Sequence, residues 1–372
     1  MGIIRLLLAL SVVSLHCGPI LSMQLVGGTA AVQAFYIISG FYMAMILTNK
    51  YVGKNHYKNF ITNRLLKLLP TYWIILLTVI GLGIIGLYIG RNFIFERYNQ
   101  SFDILPLKIQ LLIIFSNLFI IGQDFLFFIG LDKSSGLFFE NNYETSNFPL
   151  HHFIFVGQAW TLSIELMFYS IAPLINKLKS IHLTIIALLF LMCRFYLYSQ
   201  GFNHKPWDYQ FFPFELTFFL SGMLMFRFYN NLMSDKLLKQ TKNGLPFFFF
   251  IVLFILTFQY VPLSNQIKMY LFYVCFVISL PFIFHYSKGS KIDRLIGELS
   301  YPVYLSHIMI GYVVGQLFPV KSFLFSLTTA SLSIIFSILL NKYLIGRIEI
   351  YRQKRIEKTL AIRNAKNESI AN

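Results

Sequence analysis

Residues 2–16 read GIIRLLLALSVVSLH and form the first long apolar stretch of the chain. Two polar residues interrupt it, Arg5 and His16, which stand eleven positions apart. Eleven helical steps of about 100° return to within about 20° of the start, so one helix face carries both side chains, about 16 Å apart along the axis. If Arg5 lies at one surface of a bilayer, His16 lies near the middle of a hydrocarbon layer about 30 Å thick. An imidazole at that depth is costly and marks a candidate functional site.

Similar apolar stretches recur along the 372 residues, which are 56% hydrophobic and only 12% charged. A soluble domain is about a quarter charged. Only α-helices and closed barrels satisfy their backbone groups in lipid, and the alternating strands of a barrel are absent. The sequence therefore predicts an all-α integral membrane protein. The three cysteines lie in apolar stretches and form neither a disulfide framework nor a metal-ligand cluster, so we expect no metal site.

We predict about ten transmembrane helices, near residues 3–22, 28–47, 68–90, 158–176, 181–199, 209–228, 246–262, 266–285, 296–317 and 322–345. A further apolar segment, 109–129, is interrupted by polar residues that include Asn117 and Asp124. Whether this segment spans the membrane decides the orientation of every later helix.

The distribution of Lys and Arg answers that question. If 109–129 does not span, most basic residues fall on the side of the N-terminus, in the loops near 50–67, 177–179, 227–242 and 288–294 and in the tail. Both termini are then cytoplasmic, and 109–129 is re-entrant or interfacial. The chain divides into a membrane-embedded domain, 1–345, and a basic cytoplasmic tail, 346–372. This topology also accounts for the net charge of +16, so we expect no nucleic-acid partner.

Polar residues within the apolar stretches are the candidates for chemistry: His16, Glu165, Arg194, Glu215 and His307. Most have an ordinary structural alternative. Arg194 can pair with Glu215 as a structural ion pair, and His307 fits a hydrogen bond between helices equally well. Glu165 lies about one turn inside the outer end of its helix, where it can be partly hydrated. For His16 we favour a functional role.

Arg64 and Lys67 stand three positions apart and share a helix face at the cytoplasmic entrance. Two such cations can bind phosphate, Arg in bidentate fashion, although ordinary juxtamembrane charge explains the spacing equally well. Arg5 lies at the same membrane level and favours an anion site. The small residues Gly27 and Gly28 and the segment 35–41 (FYIISGF) indicate close helix packing.

Taken together, these segments resemble the acyltransferase type 3 family of integral membrane proteins. The matching segments are Arg5 with His16, 35–41, the basic Pro-Tyr-Trp segment 64–73, 160–169 (WTLSIELMFY) and 297–307 (GELSYPVYLSH). Thr161 replaces the usual Ser, Lys67 stands where a second Arg is common, and Leu166 stands where a second carboxylate is common. The chain resembles the single-domain form of the family, without a fused hydrolase-like domain.

The resemblance implies transfer of an acyl group, usually acetyl, from cytoplasmic acyl-CoA to a carbohydrate hydroxyl in a bacterial inner membrane. The acceptor would be a lipid-linked surface glycan such as lipopolysaccharide O-antigen or exopolysaccharide, and the other partner is membrane lipid. Acyl-CoA is the donor substrate, and no cofactor is expected to stay bound. The alternative is a lipid-linked glycan flippase or small-molecule transporter. Transporters often consist of two related halves, and residues 1–180 do not match 181–345.

The expected roles follow from that chemistry. Arg5, Arg64 and Lys67 would hold the phosphates of coenzyme A, and His16 would act as general base or, alternatively, as an acyl carrier. Glu165 would orient the imidazole or hold the sugar. The remaining candidates for substrate binding are Trp160, Ser163, Tyr169, Ser39, Tyr304 and His307.

Overall fold

The computed structural model describes residues 1–51, 56–91, 94–132, 136–146, 148–234 and 244–357. Its α-helices in chain order are α1 Gly2–Cys17, α2 Gly28–Asn49, α3 His56–Tyr88, α4 Glu96–Ser101, α5 Leu107–Phe119, α6 Trp160–Ile175, α7 Ser180–Ser199, α8 Phe212–Ser234, α9 Gly244–Thr257, α10 Asn265–Ser287, α11 Lys291–Val314 and α12 Phe323–Leu340. After one π-helical turn, Asn341–Ile345, the helix of α12 continues to Glu357. Two short antiparallel strands, β1 Ile129–Asp132 and β2 Gly136–Phe139, form a hairpin.

Five helices in the described part of the chain are long and apolar enough to cross a membrane: α2, α3, α7, α10, and α12 with its continuation. Three shorter apolar helices are Gly2–Cys17, Leu107–Phe119 and Gly244–Tyr260. The protein is therefore an all-α, multi-pass membrane protein. The count of ten spans and the cytoplasmic position of both termini stay predictions.

The first helix is shorter than the predicted 3–22. It ends at Cys17, because Gly18 adopts a φ of 93° and Leu21 and Ser22 also lie in the left-handed region. Its 16 residues rise about 24 Å, less than a bilayer core of about 30 Å. His16 therefore occupies the last turn of α1, and its depth in a bilayer stays a prediction.

The third helix is longer than the predicted 68–90. It begins at His56, so Arg64 and Lys67 lie within the helix rather than before it. In the segment 109–129, α5 ends at Phe119 and Ile120 is left-handed with a φ of 71°. The tail is helical to Glu357, while 358–372 and the basic loop 235–243 lie outside the described residues.

The chain forms two compact units. The first comprises Met1–Thr71, Tyr169–Thr184 and Phe218–Asn372, and the second comprises Tyr72–Phe168 and Ile185–Thr217.

Within the first unit, α1 packs most extensively against α11. The backbones touch where two glycines meet: a Cβ on Gly297 would lie 2.7 Å from the Cα of Gly2. The carboxylate of Asp293 accepts hydrogen bonds from the backbone N–H of Gly2 (2.7 Å) and Ile3 (3.0 Å). An anion at a helix N-terminus satisfies N–H groups that lack helical partners. These contacts fix the start of α1 on α11.

A second close crossing joins α2 to α8. A Cβ on Gly40 would lie 1.9 Å from the carbonyl oxygen of Phe219, and one on Gly222 would lie 1.9 Å from that of Ile37. The expected close packing in 35–41 is thus confirmed at Gly40. In membranes small residues let helices gain van der Waals contact where no hydrophobic driving force operates between them.

In the second unit, polar groups tie the helices together. Asn117 donates to the carbonyl of Phe153 (2.9 Å) and accepts from the N–H of Phe155 (2.9 Å), which joins α5 to the loop before α6. Arg194 and the fully buried Glu215 form an ion pair of 3.6 Å between α7 and α8. The structural pairing of these two residues is therefore confirmed.

Candidate active site

The side chains of His16 and His307 meet in the first unit. His16 Nδ1 lies 3.0 Å from His307 Nε2, and the two rings are stacked with centroids 5.1 Å apart. His16 is exposed and His307 is fully buried. Two contacts join residues that are the same number of positions apart in the chain: Gly2 contacts Asp293, and His16 contacts His307, and both separations are 291. α1 and α11 therefore run parallel, and the contact at Gly2 sets the register of the histidines.

A backbone carbonyl determines which nitrogens carry protons. His307 Nδ1 lies 2.7 Å from the carbonyl oxygen of Tyr304, which can only accept. His307 therefore donates from Nδ1 and accepts at Nε2, so His16 must donate from its Nδ1. In a neutral His16 the lone pair is then on Nε2. This arrangement is that of a base whose second nitrogen is oriented by a neighbour.

Arg5 lies on the same helix as His16, about 16 Å away along the axis. Its guanidinium packs near Gly297, since a Cβ added to Gly297 would lie 3.5 Å from Nη1 of Arg5. It forms no ion pair with any described residue. A half-buried cation thus lies at the opposite end of α1 from the histidine pair.

Arg64 and Lys67 project from α3, Arg64 buried and Lys67 exposed. Both interact electrostatically with Glu349, on the continuation of α12. Tyr301, from the late motif, donates to the carbonyl of Leu68 (2.8 Å) and attaches α11 to α3. The first unit thus holds these basic residues and the histidine pair.

Ser39 and Tyr169 form another contact within this unit, with their hydroxyl oxygens 3.2 Å apart. Tyr169 also packs edge-on against Phe60, and Tyr304 packs edge-on against Phe35. Ser39, Tyr169 and Tyr304 are each less than a tenth exposed. Tyr304 contributes to the histidine pair through its carbonyl, a role that side-chain motifs do not reveal.

The remaining predicted residues lie in the second unit. Ser163 donates to Asp124 (2.6 Å) and accepts from the N–H of Gly122 (2.9 Å), which fixes the turn after α5 on α6. Burial raises the pKa of Asp124 to about 6, against the opposing effect of its hydrogen bonds. Trp160 is buried, and Glu165 is partly buried. The expected role of Glu165 toward the imidazole stays a prediction.

Trp160 packs edge-on against both Phe127 and Tyr209, with centroids 5.6 Å and 4.8 Å away. The ring of Trp160, which we expected to bind substrate, is thus covered by aromatic neighbours in this structure.

The structure gives several residues a role that the sequence alone does not indicate. In the sequence Asp124 is a polar interruption of segment 109–129, and a carboxylate in an apolar segment is itself an indication of a buried partner. By sequence Arg352 belongs to the basic tail, yet it is 5% exposed and packs on α3. The contact of His16 with His307 joins residues 291 positions apart, and no local sequence pattern predicts it.

The comparisons with known proteins agree with the matching segments. A family model described as an acyltransferase domain, type 3, matches residues 1–342. No curated protein and no solved structure matches the chain. The match covers both histidines, Arg5, and the basic face of α3. The chain therefore belongs to the acyltransferase type 3 family and is a membrane-bound acyltransferase.

Proposed function

We propose that this protein transfers an acyl group, most simply acetyl, from cytoplasmic acyl-CoA to a hydroxyl of a lipid-linked surface glycan. We place it in a bacterial inner membrane, with ten spans and both termini in the cytoplasm. The observation that carries the proposal is the pair of His16 and His307, whose tautomers follow from the carbonyl of Tyr304. The parallel course of α1 and α11 is what a ten-span topology requires of its first and ninth spans.

His16 acts as general base through Nε2. It takes the proton of the acceptor hydroxyl as that oxygen attacks the thioester carbonyl. The carbon–sulfur bond then breaks, and the thiolate leaves with the proton that His16 held. The products are an O-acyl ester and free coenzyme A. A histidine pKa near 6.5 suits proton transfer at neutral pH, and His307 stabilises the imidazolium by accepting from Nδ1.

The donor binds with its phosphates on Arg5, Arg64 and Lys67. Arg5 and His16 are separated by about 16 Å along α1, a span comparable with an extended pantetheine arm. Phosphates held at the start of the helix therefore leave the thioester near the imidazole. Nothing in this arrangement requires a resident cofactor.

The acceptor approaches from the periplasmic side. Ser39 and Tyr169, whose hydroxyl oxygens lie 3.2 Å apart, supply polar groups for sugar hydroxyls. We assign O-antigen or exopolysaccharide as the acceptor class from the resemblance to the family, and the chemistry requires only a hydroxyl.

The test follows free thiol release by purified protein in nanodiscs that are given acetyl-CoA, with and without a lipopolysaccharide extract. Wild type is expected to release thiol in an acceptor-dependent manner. His16→Ala is expected to lose this activity by about 10²- to 10⁴-fold, the contribution of a general base.

His182→Ala is the matched control, since His182 is an exposed histidine at the start of α7. It is expected to retain wild-type rates. Thiol release that persists in His16→Ala would exclude His16 as the base. If wild type releases no thiol with any acyl-CoA and glycan, the transport alternative regains support.

A further inference from the structure

The guanidinium of Arg64 is buried without a hydrogen-bonding partner at Nε. Arg64 as a whole residue is 7% exposed, and its Nε has no hydrogen-bond acceptor among the described residues. The ring of Phe60 lies 5.8 Å from the guanidinium carbon. A buried charge without hydrogen bonds carries a large desolvation cost. Such a group is stable when an anion completes its surroundings.

A second buried arginine lies beside it. Arg352, on the continuation of α12, is 5% exposed and donates from Nε to the carbonyl of Asn63 (3.0 Å). It also forms an ion pair with Glu349 on its own helix. Arg352 and Arg64 are close enough to interact electrostatically. The family match ends at residue 342, so this arginine comes from a segment outside it.

Positive charge exceeds negative charge in this region. Glu349 interacts with Arg64, Lys67 and Arg352, and one carboxylate cannot neutralise three cations. Arg355 adds a fourth cation, since it donates to the side-chain oxygen of Asn63 (3.2 Å). Repulsion between like charges grows as the dielectric constant falls. The arrangement is therefore complementary to a polyanion with several acceptor oxygens.

We infer that Arg352 and Arg64 together form one phosphate-binding site, which the C-terminal helix completes. Guanidinium groups bind phosphate in bidentate fashion, and two of them can share its oxygens. The inference deepens the proposed function, because it assigns donor recognition in part to the segment after the family domain. The phosphate is that of a nucleotide donor, and the same chemistry also fits an anionic lipid headgroup.

A purely structural role for Arg352 is the alternative, since it attaches its helix to α3. Two variants separate the roles. Arg352→Gln removes the charge, whereas Glu349→Gln removes the competing carboxylate and leaves Arg352 available to phosphate. A structural tie would be weakened by both changes, while phosphate affinity would fall in the first and rise in the second. Lys354→Ala is the matched control, because Lys354 is exposed on the same helix.

The experiment measures the affinity of coenzyme A, and of pantetheine as a probe without phosphate, by calorimetry in nanodiscs of zwitterionic lipid. Arg352→Gln is expected to weaken coenzyme A binding by about 10- to 100-fold, the worth of a charge-assisted hydrogen bond. Glu349→Gln is expected to strengthen it several-fold, and Lys354→Ala to change it by less than about twofold. Pantetheine binding is expected to be the same in all variants.

Unchanged coenzyme A affinity in Arg352→Gln, or an equal loss for pantetheine, would overturn the site. If wild type binds no coenzyme A, the donor in the proposed function is wrong. The retention of an anionic lipid then tests whether the two arginines bind phosphate at all. Phosphatidylglycerol that stays with purified wild type but not with Arg352→Gln would support a phosphate site for a lipid headgroup. Equal retention in both would refute it.

Discussion

The hydrogen bond between His16 and His307 predicts a specific pattern of non-additive losses. His307→Ala removes the acceptor for His16 Nδ1–H, a contact of 3.0 Å whose acceptor side is fully buried. Because His16 is an imidazolium in the transition state, this bond is worth about 1.5–3 kcal/mol. That loss corresponds to about a 10- to 100-fold fall in kcat. KM for acetyl-CoA is expected to stay the same, because the donor's phosphates bind elsewhere.

The two substitutions act on one group, so their effects should not add. The double variant His16→Ala with His307→Ala is expected to be no slower than His16→Ala alone, as measured by acceptor-dependent thiol release. Ser306→Ala is the control, since Ser306 is fully buried on the same helix and its hydroxyl has no hydrogen-bonding partner among the described residues. Losses that multiply, or a Ser306→Ala variant as slow as His307→Ala, would refute the coupling.

Three further predictions concern the scaffold, each read as the unfolding temperature in detergent. Gly40→Ala places a Cβ 1.9 Å from a backbone carbonyl oxygen of α8 and is expected to lower the free energy of unfolding by at least about 1–3 kcal/mol. Gly81→Ala is the control, because a Cβ on Gly81 would have no neighbouring atom within 4 Å outside its own helix turn. The pKa of Asp124 is about 6 in the folded protein and 3.8 when unfolded, so the free energy of unfolding falls by about 3 kcal/mol in all as the pH rises between these values. Asp124→Asn should therefore stabilise the protein increasingly from about pH 4 to about pH 7. An effect of this substitution that does not depend on pH would contradict the prediction. Arg194→Ala removes the ion-pair partner of the buried Glu215 and is expected to cost about 3–5 kcal/mol, whereas replacing both residues by apolar ones should cost less.

The sequence predicts those parts of the fold that hydropathy governs. The helices at 28–49, 180–199 and 265–287 agree with the predicted spans to within about two residues. Hydropathy does not predict where a helix begins or ends if the helix is shorter or longer than its apolar stretch. Residues 19–21 remain apolar after Gly18 has ended α1, and α3 contains a polar first part that carries Arg64.

The candidate site is predicted only in part, for a physical reason. The shared helix face of Arg5 and His16 follows from helical periodicity alone. The partner of His16 depends on how α1 packs on α11, a contact that Gly2 and Gly297 permit by their lack of side chains. Likewise Arg352 reaches Asn63 because the helix of α12 continues past residue 345. Such long-range contacts are set by packing and are not visible in a local pattern.

Detection of the acylated glycan is the most direct test that acyl-CoA acylates a glycan hydroxyl with His16 as general base. Purified protein in nanodiscs would receive acetyl-CoA labelled in the acetyl group together with a lipid-linked glycan extract. We expect label in an alkali-labile ester on the glycan with wild type and with His182→Ala, and none above background with His16→Ala. Equal labelling of the glycan by His16→Ala and wild type would contradict this expectation.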